Sequence, residues 1–129
     1  MRTVVTSLSL SIVMIAATPV IVVAASGLRG IMHNWRADAR TTRDILSGRG
    51  TFDEATIREV LQGYVADAER IGAQVTGNTA AARDFKQRFM TFQTDAQKAL
   101  GDLAQRPALQ ADFSRLMSDC QSCHDAFKD

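Results

Sequence analysis

The chain is poor in the residues that mark several common kinds of protein. It has only two cysteines among 129 residues, and no third thiol with which either could form a wider bridge. A disulfide between Cys120 and Cys123 would close a loop so small that it removes little entropy from the unfolded chain. Another use for the thiols has to be sought. Proline occurs twice and aromatic residues make up 6% of the chain, a scarcity that suits helices better than a sandwich of short, turn-rich strands. Neither sign of charge is in excess: fifteen Lys and Arg against fourteen Asp and Glu leave a formal net charge of +1. Nucleic-acid binding usually shows a basic surplus, so no nucleic-acid partner is expected.

Charge is missing altogether from Thr3 to Leu28. Arg2 precedes this run, and Leu8 to Val23 is apolar apart from Ser9, Ser11, Thr18 and Pro19. Val23-Ala24-Ala25 then offers the small residues a signal peptidase accepts. Residues 1–25 read as a secretory signal, or as an uncleaved anchor in which residues 4–25 cross the inner membrane. Either reading places residues 26–129 as one domain on the far side of that membrane, periplasmic and either soluble or tethered.

What is present is helical periodicity. With 46% hydrophobic residues a compact core is attainable. Beyond Ser26 the chain falls into four amphipathic segments without strand alternation. The first runs from about Leu28 to Ser47 and turns Leu28, Ile31, Met32, Trp35, Ala39, Ile45 and Leu46 inward. Thr51-Phe52-Asp53-Glu54 has the spacing of a capping box, with Thr51 as cap, and opens a second helix to about Val75. Its inward residues are Ile57, Val60, Leu61, Tyr64, Ala68 and Ile71. A third follows Thr76-Gly77-Asn78 and runs to about Ala104 with Phe85, Phe89, Phe92, Ala96 and Leu100 inward. Pro107 suits the first turn of a fourth, which continues to about Phe127. Short turns between helices of similar length make an all-α, antiparallel up-and-down four-helix bundle the economical fold.

The chemistry is carried by Cys120-Gln121-Ser122-Cys123-His124, the spacing for covalent haem attachment. On a helix these positions share one face, so both thiols and the imidazole point the same way. The thiols would bond the two vinyl groups of one haem c, and His124 would ligate its iron. A redox-active thiol pair would be expected in a βαβ context, and none is visible. A zinc site would need a fourth ligand, such as His33, and would crowd the adjacent Cys123 and His124.

A four-helix chain with this motif near its C-terminus, followed by Phe127 and Lys128, resembles the class II cytochromes c, the cytochrome c-prime family. The resemblance covers about residues 27–129 and extends to Arg29 and Met32 on the first helix. It implies a haem-propionate contact for Arg29 and a distal, haem-facing position at Met32. It also implies homodimerisation through the first two helices. The family spacing counted from Arg29 selects His33 instead, and the segment before the third helix is shorter than in many members.

The distal position decides the function. A bound Met gives a six-coordinate, low-spin electron carrier with periplasmic redox partners and no enzymatic turnover. An empty position gives a five-coordinate binder of nitric oxide or carbon monoxide. At about 100° per residue, Met32 lies roughly 50° from the centre of the first helix's apolar stripe and His33 roughly 150° from it. Met32 is therefore the expected ligand, with core packing as its plainer role. Arg29, Arg36 and Arg43 recur along the stripe's polar edge, where Arg29 or Arg36 could meet a propionate.

Overall fold

The structure is a computed structural model that describes residues 25–127. The expected signal or anchor segment and Lys128 lie outside the described residues. Four helices follow one another: α1 (Ala25–Leu46), α2 (Glu54–Gln74), α3 (Ala80–Gly101) and α4 (Arg106–Ala126). There is no strand among the described residues, and the all-α up-and-down bundle expected from the periodicity is the fold. None of the described helices is long and apolar enough to cross a membrane.

Each helix begins and ends where its local chemistry requires. Gly48, at a φ of 76°, lets the chain leave α1 in the left-handed region, with the Ser47 amide donating to the Arg43 carbonyl at 2.9 Å. The cap of α2 is Asp53, a correction to the capping box centred on Thr51. The Asp53 carboxylate accepts from the amides of Ala55 (3.0 Å) and Thr56 (3.2 Å). A charged acceptor two residues closer to the helix outcompetes a hydroxyl for those donors. The Thr56 hydroxyl first, and then these amides, hold the Asp53 carboxyl below its ordinary pKa. Glu54 reaches forward to Arg58 at 2.6 Å rather than back. Thr79 caps α3 by accepting from the Ala82 amide at 3.1 Å. Arg106, at the start of α4, lies 3.8 Å from the ring centroid of Phe52 and so ties α4 to the loop between α1 and α2.

Packing is densest between α2 and α3, then between α3 and α4, whereas α1 leans on α2 and touches α4 only lightly. The core gathers the inward residues of all four helices: Ile57, Leu61 and Ile71 of α2, Ala96 and Ala99 of α3, Leu109 and Leu116 of α4. The inward row of α3 ends on Ala99, while Leu100 is only partly buried. On α1 the fully covered residues are Trp35 and Thr42; Leu28, Ile31, Met32, Ala39, Ile45 and Leu46 are partly exposed along its flanks.

Trp35 is the residue that seats α1. Its indole stacks on Phe92 of α3 at 4.6 Å and 16° and tilts against Tyr64 of α2 at 5.0 Å. The ring nitrogen donates to Asp67 at 3.0 Å, and the Tyr64 hydroxyl donates to the Trp35 carbonyl at 3.1 Å. Aromatic area, ring geometry and two hydrogen bonds thus converge on one residue. A second tie between distant segments is ionic: buried Asp112 of α4 accepts both of its contacts from Lys98 of α3, at 2.8 and 3.0 Å.

Candidate functional site

Cys120 and Cys123 occupy the last turns of α4, half-buried, with Cys120 packed against the core and His124 exposed one step beyond. The segment is held from α3 rather than by its own helix alone. Arg88 donates from Nη1 to Ser122 Oγ at 2.8 Å, between the two cysteines, and its Nε is braced on Asp84 at 3.0 Å. The same guanidinium lies 5.8 Å from the Phe127 ring, which meets Phe85 edge-on at 5.1 Å. Phe85, Phe89 and Trp35 continue this as a row of touching rings towards α1. Arg88 is a positioning residue that sequence reading missed. Its signal there, a basic residue one turn after an acidic one, is common to any solvated helix face.

Burial pushes the Cys120 thiol up to about 11, with the nearby Asp119 and Cys123 adding to the shift. Burial also raises Cys123, partly offset by Arg88. Both sulfurs therefore stay protonated at neutral pH. A redox-active Cys-x-x-Cys pair needs a depressed thiol, so that alternative loses its chemical basis. Among the described residues no group of three His, Cys, Asp or Glu side chains is placed to hold a metal ion. Two neutral, half-buried thiols with an accessible imidazole next to them fit a haem attached through thioethers.

The opposite wall is α1, and one hydrogen bond fixes its register. Gln110 Nε2 of α4 donates to the Leu46 carbonyl at 2.9 Å. The two helices run antiparallel at about 1.5 Å per residue. Fourteen residues back from Leu46 is Met32, and fourteen residues on from Gln110 is His124. By this count the two residues fall at about the same level along the α1–α4 side of the bundle. Met32 is half-buried against the core, while His33 and Arg29 are exposed. Phe85, Phe89 and Phe92 are buried in the bundle interior.

One polar feature lies beside the motif. Asp119 Oδ2 is buried without a donor, and the carboxyl faces Asp95 of α3. Two acceptors can share a hydrogen bond only if one of them keeps a proton. Burial, then Asp95, push the Asp119 carboxyl up to about 6 against an ordinary 3.8, with Arg115 pulling the other way. Between those values the folded protein binds a proton that the unfolded chain has released, so stability falls as pH rises through the window. Asp119→Asn is expected to remove that fall and to raise Tm above pH 6. Melting both proteins at pH 5 and pH 7.5, inside and above this window, checks it. A wild-type Tm that is flat or rises between them overturns the assignment.

The fold and the site together define a class, the up-and-down helical bundle with a Cys-x-x-Cys-His motif on its last helix. Comparison with known proteins points the same way: a protein named cytochrome c′ from Rhodopseudomonas palustris (strain ATCC BAA-98 / CGA009) is 26% identical to this chain over 97 residues. The matched stretch covers 65% of this chain, and the chain spans 66% of that relative's length. No family model matches the chain, and no solved structure matches it.

Proposed function

We propose that this chain is an exported c-type haem protein that carries single electrons, holding one haem c through Cys120, Cys123 and His124 with Met32 as the distal ligand. The observation that supports this reading is the hydrogen bond from Gln110 to the Leu46 carbonyl, from which Met32 and His124 count to about the same level on facing helices. The haem, when bound, supplies the one-electron couple. Everything else is the work of the chain's own residues. Cys120 and Cys123 anchor from one helical face, so the imidazole of His124 needs no long loop to reach a ligating position. Met32, a neutral thioether on a helix seated by Trp35, would favour the reduced state and limit rearrangement between states. Arg29, exposed and on the same side of α1, would pair with a propionate. The aromatic row from Phe127 to Trp35 excludes water from the site's inner wall.

A second reading has its own observation. α1 touches α4 only lightly and Met32 is not fully buried, which also suits a distal position left open for nitric oxide or carbon monoxide. The similarity to a protein named cytochrome c′ fits this reading as well. Optical spectra of the oxidised and reduced protein, with and without carbon monoxide, separate the two. A low-spin spectrum unmoved by carbon monoxide, converted to high-spin by Met32→Ala and not by His33→Ala, is the expected result. A high-spin wild type that shifts on adding carbon monoxide replaces electron transfer with gas binding.

A further inference from the structure

The outer edge of α1 carries charge that nothing in the fold uses. At about 100° per residue, Arg29, Arg36, Arg40 and Arg43 fall within about 60° of arc, a stripe about 21 Å long. All four are exposed, and none of the four side chains makes an ion pair or hydrogen bond with another described residue. Every other described arginine engages a carboxylate, a backbone carbonyl or an aromatic ring. The two acids of α1 do not neutralise the stripe: Asp44 is held by Arg49, and Asp38 faces Asp67 and Glu59 of α2. Charge is therefore segregated in a chain that is nearly neutral overall.

The stripe also lies beside the site. Arg43 borders the groove between α1 and α4, together with Gln110, Phe113 and Met117, on the same side of the bundle as Met32 and His124. We propose that Arg36, Arg40 and Arg43 of this stripe, beyond the Arg29 assigned above to a propionate, form the docking face for the carboxylate-rich surface of a partner redox protein. The proposal takes its purpose from the electron-carrier reading above, but the binding itself does not depend on it. Unpaired guanidinium forks match carboxylates and steer a charged partner into a short-lived encounter. An electron-transfer contact needs little more, since such interfaces are small. An anionic bilayer is a poorer fit. A helix that lies on lipid offers an apolar face to it, whereas the apolar face of α1 is turned into the bundle. On its solvent side the stripe is flanked by His33, Ala37, Gly30 and Thr41, none of which can insert, and on its other side Met32 and Ala39 are half-buried against the bundle.

The test uses the full-length haem-loaded protein and its Arg40→Glu/Arg43→Glu variant, with an acidic flavodoxin as the probe. Binding is measured by calorimetry, and electron transfer from the reduced probe by stopped flow, at about 20 and about 200 mM salt. Wild-type association should weaken about tenfold across that range, and the double variant should lose about tenfold at low salt and most of its salt dependence. Reduction by neutral hydroquinone should be the same for both proteins, which separates docking from damage to the site. Equal flavodoxin binding and equal rates for the two proteins overturn the stripe. Tighter, charge-dependent binding to phosphatidylglycerol vesicles than to flavodoxin overturns the protein partner in favour of a membrane. Failure of hydroquinone to reduce the wild type would sink the electron-carrier reading, while the calorimetry still decides the stripe.

Discussion

Replacing both Cys120 and Cys123 with serine leaves a chain from which haem is stripped in denaturing electrophoresis, whereas the wild-type chain keeps it. This expectation follows from the state and position of the sulfurs. They lie one turn apart on α4, half-buried and protonated at neutral pH, with Arg88 fixing Ser122 between them. Thiols so placed are suited to bonding one rigid, flat group and poorly suited to cycling as a nucleophilic pair. Each single variant should retain haem through the remaining thioether, with an altered absorption band because one vinyl group stays conjugated. The measurement is haem staining of the denatured chain after expression in a host that attaches c-type haem. A wild-type chain that carries no stain, but whose mobility changes on reduction, would make the pair a disulfide and end the haem assignment.

Trp35→Ala should cost about 4 kcal/mol of folding stability, as large-to-small changes of buried aromatics do. That is a large share of the roughly 5–15 kcal/mol that holds a typical domain together. The site explains why the effect should sit at the upper end. Trp35 is 8% exposed, stacks on Phe92, tilts against Tyr64 and donates to Asp67, so its removal leaves a hole and takes the donor from Asp67 Oδ2, while Oδ1 keeps Arg70. It is also the covered apolar residue that fastens α1, whose contact with α4 is slight. Trp35→Phe should keep the ring contacts and lose mainly the hydrogen bond, at about 1 kcal/mol. Urea unfolding followed by far-UV circular dichroism gives both values. Because Met32 lies one turn before Trp35, the alanine variant should also shift towards a high-spin spectrum. A loss below about 1 kcal/mol would show that α1 is held by something other than Trp35.

The helices themselves were legible in the sequence because what makes them is local. Apolar spacing, Gly48 as a stop and Pro107 in a first turn act within one or two turns of chain, although the cap of α3 is Thr79, one residue beyond the expected Asn78. The same holds for the attachment motif, whose three residues share a face by helical geometry alone. It also holds for the ranking of Met32 over His33 as the inward side chain, since the structure places Met32 half-buried and His33 exposed. The cap of α2 was misread even at this range. Thr51 and Asp53 both offer acceptors, and the choice fell to the one that reached two amides at once.

Tertiary structure decided what depends on residues far apart in the chain. Gln110 and Leu46 are 64 positions apart, and only their meeting ties α4 to the end of α1 and gives a point from which Met32 and His124 can be counted to about the same level. Arg88 and Ser122 are 34 apart, and without that contact Arg88 is one more surface cation. Asp119 becomes a proton holder because packing first buries it and then sets Asp95 of α3 against it. The arginines of α1 follow the same logic in reverse: their sequence shows four positive charges, and only the packed bundle shows that no acid among the described residues comes to meet them. Periodicity specifies which face of a helix is buried. How two helices slide, and which polar groups then find partners, is settled by side chains that the folded chain alone brings together.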